Sequence, residues 1–158
     1  MKIAFDTSVL VAAVLSIHRD HARAVVWLSA VSAGTLDGVV SVHALGELWS
    51  VLTKLPVSPP ISPRMACEAI NDVLARFEAA PLTVQIYRDA LDRCTSKGLR
   101  SGAIFDALHL AIAESAGAAA LVTFNERDFA RLSVTGSPPI VVPPDPPAVS
   151  LDALPALR

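Results

Sequence analysis

The sequence is poor in cysteine: Cys67 and Cys94 stand far apart in stretches of helical pattern, and neither has a CxxC or CxxH neighbour. That argues against a thiolate zinc site and a disulfide framework, and leaves both as reduced core or half-buried thiols. Charges or turn residues interrupt every apolar run, so none approaches the roughly 20 residues that span a bilayer. The opening MKIAFDTS has one Lys, an early Asp and no convincing cleavage site, which argues against a signal peptide and for a cytoplasmic protein. Excess positive charge is also missing. A formal net charge of −2 gives no global attraction to nucleic acid, so such binding must rely on local basic clusters or on a metal. No internal repeat is visible.

What the chain does have is a hydrophobic majority, 53% of 158 residues, enough for one compact domain with a sizeable core. Lys2 to Phe5 reads as a buried strand, and Asp6, Thr7 and Ser8 can cap a helix starting near Val9. A second helix fits Asp20 to Ala33, stopped by Gly34. Gly38 to Val42 reads as another strand and His43 to Leu55 as a helix ended by Pro56. After the turn-rich PVSPPISP, the Ser62-Pro63 pair starts a helix through about Phe77. An extended piece at Ala80 to Leu82 precedes a helix from Val84 to Lys97, and GAIFDALHLAIA follows with Ser101 available as its N-cap. Ala119 to Phe124 and Pro139 to Val142 complete the strands. Continuously apolar strands alternating with helices predict an α/β fold: a parallel sheet of about five strands with helices on both faces. The domain spans 1–142. Residues 143–158 form a proline-rich tail, and the segment from Ser137 onward carries seven of the twelve prolines; past the last strand it is expected to run extended over the surface or to be mobile.

GAIFDALHLAIA poses the sharpest question, because an apolar helix tolerates an isolated carboxylate only when something pairs with it, binds it or keeps it protonated. Asp106 has no cation three or four positions away unless His109 is protonated; His109 itself is left without a role. Three other acidic positions can reach the carboxyl edge of the sheet, where ligands of parallel sheets collect: Asp6 after the first strand, Glu47 in the helix after the second, and Asp128 after AALVTF, with Asn125 before it. Each has an ordinary explanation. Asp6 can be a helix cap, Glu47 a wet-side residue, Asp128 the cap of a short helix starting at Phe129, and Asn125 a turn residue. Taken together they say more, since converging carboxylates repel unless a hard divalent cation neutralises them. Oxygen donors without paired His or Cys favour Mg²⁺ or Mn²⁺ over zinc and suit phosphodiester chemistry.

The segments MKIAFDTSVLVA, SVHALGEL, GAIFDALHLAIA and LVTFNERDF, in this order, resemble the PIN-domain ribonucleases, and more narrowly the VapC toxins of bacterial toxin–antitoxin pairs. IHRDHARAVVWL resembles the segment those toxins carry after their first helix. The resemblance covers about Met1 to Val142. It implies a Rossmann-like sheet, Mg²⁺-dependent RNA cleavage by an activated water, a homodimer, and neutralisation by a VapB-type antitoxin. By position, Asp6 and Asp106 match the principal metal ligands, and Glu47 the acid that completes the pocket by holding water at the metal or a second ion. Relatives often bear Asp where this chain has Asn125, so Asn125 is expected to line the site with Asp128 as the remaining charge. Thr7, Ser8 and Thr123 resemble hydroxyls that hold ligands or contact phosphate.

Arg93, Lys97 and Arg100 follow the end of the preceding helix into its loop and could track an RNA backbone, though cations also suit a helix C-terminus. Two other functions share some of these features. A phosphoacceptor signalling domain wants adjacent acids near the first strand and a late lysine, which are missing. A partner-binding module that has lost catalysis would not need Asp6, Glu47 and Asp106 together.

Overall fold

The computed structural model describes residues 1–145; the expectation for the tail from 146 onward lies outside them. Five parallel strands lie in the order β3-β2-β1-β4-β5: β1 Lys2–Phe5, β2 Asp37–Ser41, β3 Glu78–Ala80, β4 Leu121–Val122 and β5 Ile140–Val141. Seven helices accompany them among the described residues: α1 Thr7–Val14, α2 His21–Ser32, α3 Val42–Lys54, α4 Pro63–Leu74, α5 Val84–Ser96, α6 Ala103–Ser115 and α7 Glu126–Leu132.

The two-residue alternation of a strand sorts the core. Ile3, Phe5, Val40 and Val122 pack with α1 to α4, whereas Ala4, Val39 and Leu121 pack with α5 to α7. Trp27 and Phe77 meet Phe5 edge-on, with centroids at 6.2 and 5.3 Å, the favoured geometry for aromatic quadrupoles. On the other side α6 packs against β1, β2, α3, α5 and α7. Every residue from Ala107 to Ala113 is therefore buried, as expected for a helix apolar nearly all round. Asp106 in its first turn and His109 one turn on reach the sheet edge.

Several local expectations shift. β3 pairs Glu78 to Ala80 with Val39 to Ser41, so the chain turns extended before Ala80 and α4 stops at Leu74. The strand expected over Ala119 to Phe124 is restricted to the two residues that pair with Ala4 and Phe5. Ser101 does not cap α6: it has φ +55°, and Gly102 occupies the cap position without a side-chain bond. Nor does Asp128 begin a helix. α7 starts at Glu126 after Asn125, placing Asp128 in its first turn. Cys94 is buried, but Cys67 is exposed.

Gly38 in β2 is required by packing, since a Cβ there would stand 2.5 and 2.7 Å from the Phe77 ring and 3.0 Å from Val31. Gly38→Ala is expected to destabilise the fold by about 2–3 kcal/mol, the scale of overpacking a dense core. Urea unfolding measures this; a loss below about 0.5 kcal/mol would show that Phe77 can move aside.

Candidate active site

Because the strands are parallel, their carboxyl ends share one edge, and the helices that follow project side chains over it. Asp6 leaves β1 there and is only 3% exposed. It stands at the N-cap position of α1 but makes no side-chain cap. Instead its Oδ2 accepts hydrogen bonds from Ser8 Oγ at 2.6 Å and Thr123 Oγ1 at 2.8 Å. Asp6 Oδ1 lies 3.9 Å from His109 Nε2 and takes no hydrogen bond among the described residues.

Glu47 comes from α3, in the opposite layer to α6, and is half-buried. Its Oε2 accepts Thr7 Oγ1 at 2.5 Å and bonds His109 Nε2 at 2.7 Å. His43, one turn before it, holds Nε2 3.5 Å from Oε1 and stacks its ring on Phe105 at 4.9 Å. Burial alone would raise the pKa of Glu47, but the hydrogen bond and charge of His109, the Thr7 hydroxyl and the charge of His43 together lower it. Burial would likewise lower that of His109, yet the Glu47 bond and the charges of Asp6, Glu47 and Asp106 raise it. The pair is therefore driven towards carboxylate and imidazolium.

Asp106 differs from both neighbours. It has no hydrogen bond or ion pair among the described residues, and it is pushed up to about 6, first by burial and then by the charges of Asp6 and Asp128, against an opposing pull from His109. It lines a cleft of about 410 Å³ with Asp6, Thr7, Ser8, Glu47, His109 and Asn125. Asp128 is outside that cleft. It is exposed, 3.7 Å from Arg131, and lines a smaller cavity that shares Asp106. Thr123 is fully buried, and it touches the site through Asp6 and through the Asn125 backbone N–H, which donates to its hydroxyl at 2.8 Å.

The three basic positions do not act as a row. Arg93 makes a two-pronged pair with Glu114 at 2.9 and 2.7 Å, and Lys97 donates to the Ser133 carbonyl at 3.2 Å. Arg100 alone lies next to Asp106. Sequence reasoning left His109 without a role and passed over His43, although His43 and Glu47 share a helix face at i, i+4. It also passed over His18 and Arg19, which line the cleft with Asp20. Asp20, expected to cap α2, is instead held by Arg23 at 2.7 Å and Arg19 at 3.2 Å.

Among the described residues no three His, Cys, Asp or Glu side chains form a closed metal cage. The free Asp6 Oδ1 and the unpartnered Asp106 carboxyl offer an open, all-oxygen set. That fits Mg²⁺, which keeps several waters and uses one or two carboxylates with substrate phosphate, better than zinc.

Residues 3–134 match the PIN domain family. The chain is 32% identical over 126 residues to ribonuclease VapC27 of Mycobacterium tuberculosis, covering 79% of this chain and 85% of that protein. The crystal structure of M. tuberculosis VapC20, a sarcin-ricin loop cleaving toxin, superposes with TM-score 0.67 at 21% identity, over 86% of this chain and 99% of that one. The VapBC2 structure from Rickettsia felis, bound to a promoter DNA fragment, gives TM-score 0.63 at 20% identity, over 90% and 98%.

A carboxyl whose folded pKa is raised from 3.8 to about 6 stabilises the fold fully only below the lower value and loses that contribution as pH rises through the higher one. The whole shift corresponds to about 3 kcal/mol, and water in the open cleft reduces it to about 1–2 kcal/mol. Metal-free Asp106→Asn is therefore expected to exceed wild type in stability by about 1–2 kcal/mol at pH 7, the gain vanishing near pH 4. Urea unfolding across this range tests it, and equal stability at pH 7 would remove the electrostatic strain assigned to Asp106.

Proposed function

The chain belongs to the PIN-domain family, and on that premise we propose that it is a metal-dependent endoribonuclease toxin using Mg²⁺ or Mn²⁺. The supporting observation is the unpartnered Asp106 carboxyl beside Asp6, raised to about 6 by burial and surrounding negative charge. Asp6 and Asp106 would hold the divalent cation, which would offset that repulsion and supply charge stabilisation for hydrolysis of a phosphodiester.

The chain's own residues do the positioning. Ser8 and Thr123 hold Asp6 Oδ2, which leaves Oδ1 for the cation. Thr7 and His109 hold Glu47 Oε2, so that Glu47 stays ionised and its Oε1 can orient the attacking water. His109 Nε2–H donates to Glu47 Oε2 at 2.7 Å, and its raised pKa keeps the proton on the ring nitrogen. Asn125 lines the cleft through its exposed position before α7, and Asp128 contributes charge from the adjoining cavity. No lysine lines either cavity, which speaks against phosphoacceptor chemistry.

A VapB-type antitoxin is the proposed regulator, supported by the likeness to VapBC2. A homodimer is the proposed assembly, supported by Val84, Tyr87 and Leu91, which stand exposed on one face of α5 at helical spacing. Among the described residues no helix is long and apolar enough to cross a membrane.

Asp6→Asn and Asp106→Asn are each expected to reduce Mg²⁺-dependent RNA cleavage by about 10²–10³-fold or more with unchanged circular dichroism. Cleavage persisting in purified Asp106→Asn would sink the mechanism. In the absence of RNA, Mn²⁺ at a hundredfold excess over its Kd is expected to stabilise wild type by about 2.7 kcal/mol, and neither variant by a comparable amount; thermal unfolding reads this directly.

A further inference from the structure

Arg100 takes no part in the chemistry above, yet it stands beside it. A cavity of about 280 Å³ shares Asp106 with the main cleft and is otherwise lined by Leu99, Arg100, Gly102, Ala103, Asp128 and Arg131. Arg100 is exposed and has no carboxylate within ion-pair distance among the described residues. Among the described residues Arg131 is held only by Asp128 at 3.7 Å, with both side chains more than half exposed, so water weakens the pair and the guanidinium can exchange partners. By contrast, Arg93 and Lys97 are tied to Glu114 and Ser133.

We propose that this cavity seats the RNA phosphate next to the scissile one: a single strand held at Asp6 and Asp106 passes its neighbouring backbone phosphate to Arg100 and Arg131. The substrate class rests on the ribonuclease function proposed above. Because Asp106 belongs to both cavities, consecutive phosphates of one strand can occupy them in turn. Guanidinium forks match phosphate oxygens, and an acidic cleft in a chain of net charge −2 needs such local cations to retain a polyanion. A cavity of this size admits a phosphate and its ribose but not a duplex. Recognition here is of backbone, so it carries no base preference.

The test uses the full chain carrying Asp6→Asn, so that bound RNA is not cut, with fluorescence anisotropy of labelled oligouridylate and oligoadenylate over a range of salt. Adding Arg100→Ala or Arg131→Ala is expected to weaken binding of both RNAs about five-fold. Each is also expected to lower the slope of log affinity against log salt by about 0.7, the value per phosphate contact on a single strand. Arg100→Lys keeps the charge and should restore the slope. Arg76→Ala, which alters an exposed cation lining a separate cavity, should change neither quantity. Slopes unmoved by Arg100→Ala and Arg131→Ala, or moved equally by Arg76→Ala, overturn the phosphate seat. If the slopes are unmoved while wild type cuts RNA with Mg²⁺, the seat falls and the nuclease function stands. If the slopes fall as expected but no RNA is cut with Mg²⁺ or Mn²⁺, the seat stands and the nuclease function falls.

Discussion

The hydrogen bond between His109 Nε2 and Glu47 Oε2, 2.7 Å long, closes the site across the sheet edge. α6 belongs to the layer packed on Ala4 and Leu121, and α3 to the layer packed on Phe5 and Val40. The bond joins the two layers. Thr7, the first residue of α1, donates to the same oxygen, so three helices converge on one atom. An imidazole only 3% exposed is costly to bury without a partner. Glu47 supplies that partner, and in return the charge of Glu47 is held in one place.

The other two carboxylates divide the remaining roles through their contacts. One oxygen of Asp6 is satisfied by two hydroxyls on different elements, Ser8 of α1 and Thr123 just past β4. That bonding fixes the side chain while leaving its other oxygen open. Asp106 receives no such support and sits half-buried with carboxylates around it. A site for a cation needs both kinds: a group whose position is set before the ligand arrives, and one whose unfavourable charge the ligand relieves.

Much of this was readable in the sequence because it depends on short-range pattern. Continuously apolar strands, Gly34 after α2 and the Ser62-Pro63 start of α4 are local signals, and the structure follows them within a few residues. The acidic edge was readable because parallel topology places the residue after each strand at a shared border. What could not be read was which oxygen meets which donor. Asp-Thr-Ser before a helix suggests capping, but Thr123, remote in sequence, competes for the Asp6 carboxylate. Arg93 looked like a free cation at a helix end, but Glu114 lies a helix away in sequence and beside it in space. The role of His109 depends on Glu47 in the opposite layer, which no periodicity within α6 can reveal.

The same distinction explains why the basic residues matter less by number than by partner. Some guanidinium groups are spent on carboxylates, most firmly Arg93 on Glu114 and Arg23 on Asp20. A cation already neutralised adds little to the field felt by a polyanion, because its potential is cancelled within a few ångströms and screened beyond a Debye length. A cation attracts RNA only where it is left without such a partner. The border shared with Asp106 meets that condition, with Arg100 unpaired among the described residues and Arg131 only weakly held. On the proposed nuclease function, a substrate of repeating negative charge would meet a narrow attractive margin beside a repulsive centre. That margin would guide its approach, and a cation offsetting the carboxylates would let the centre accept a phosphate.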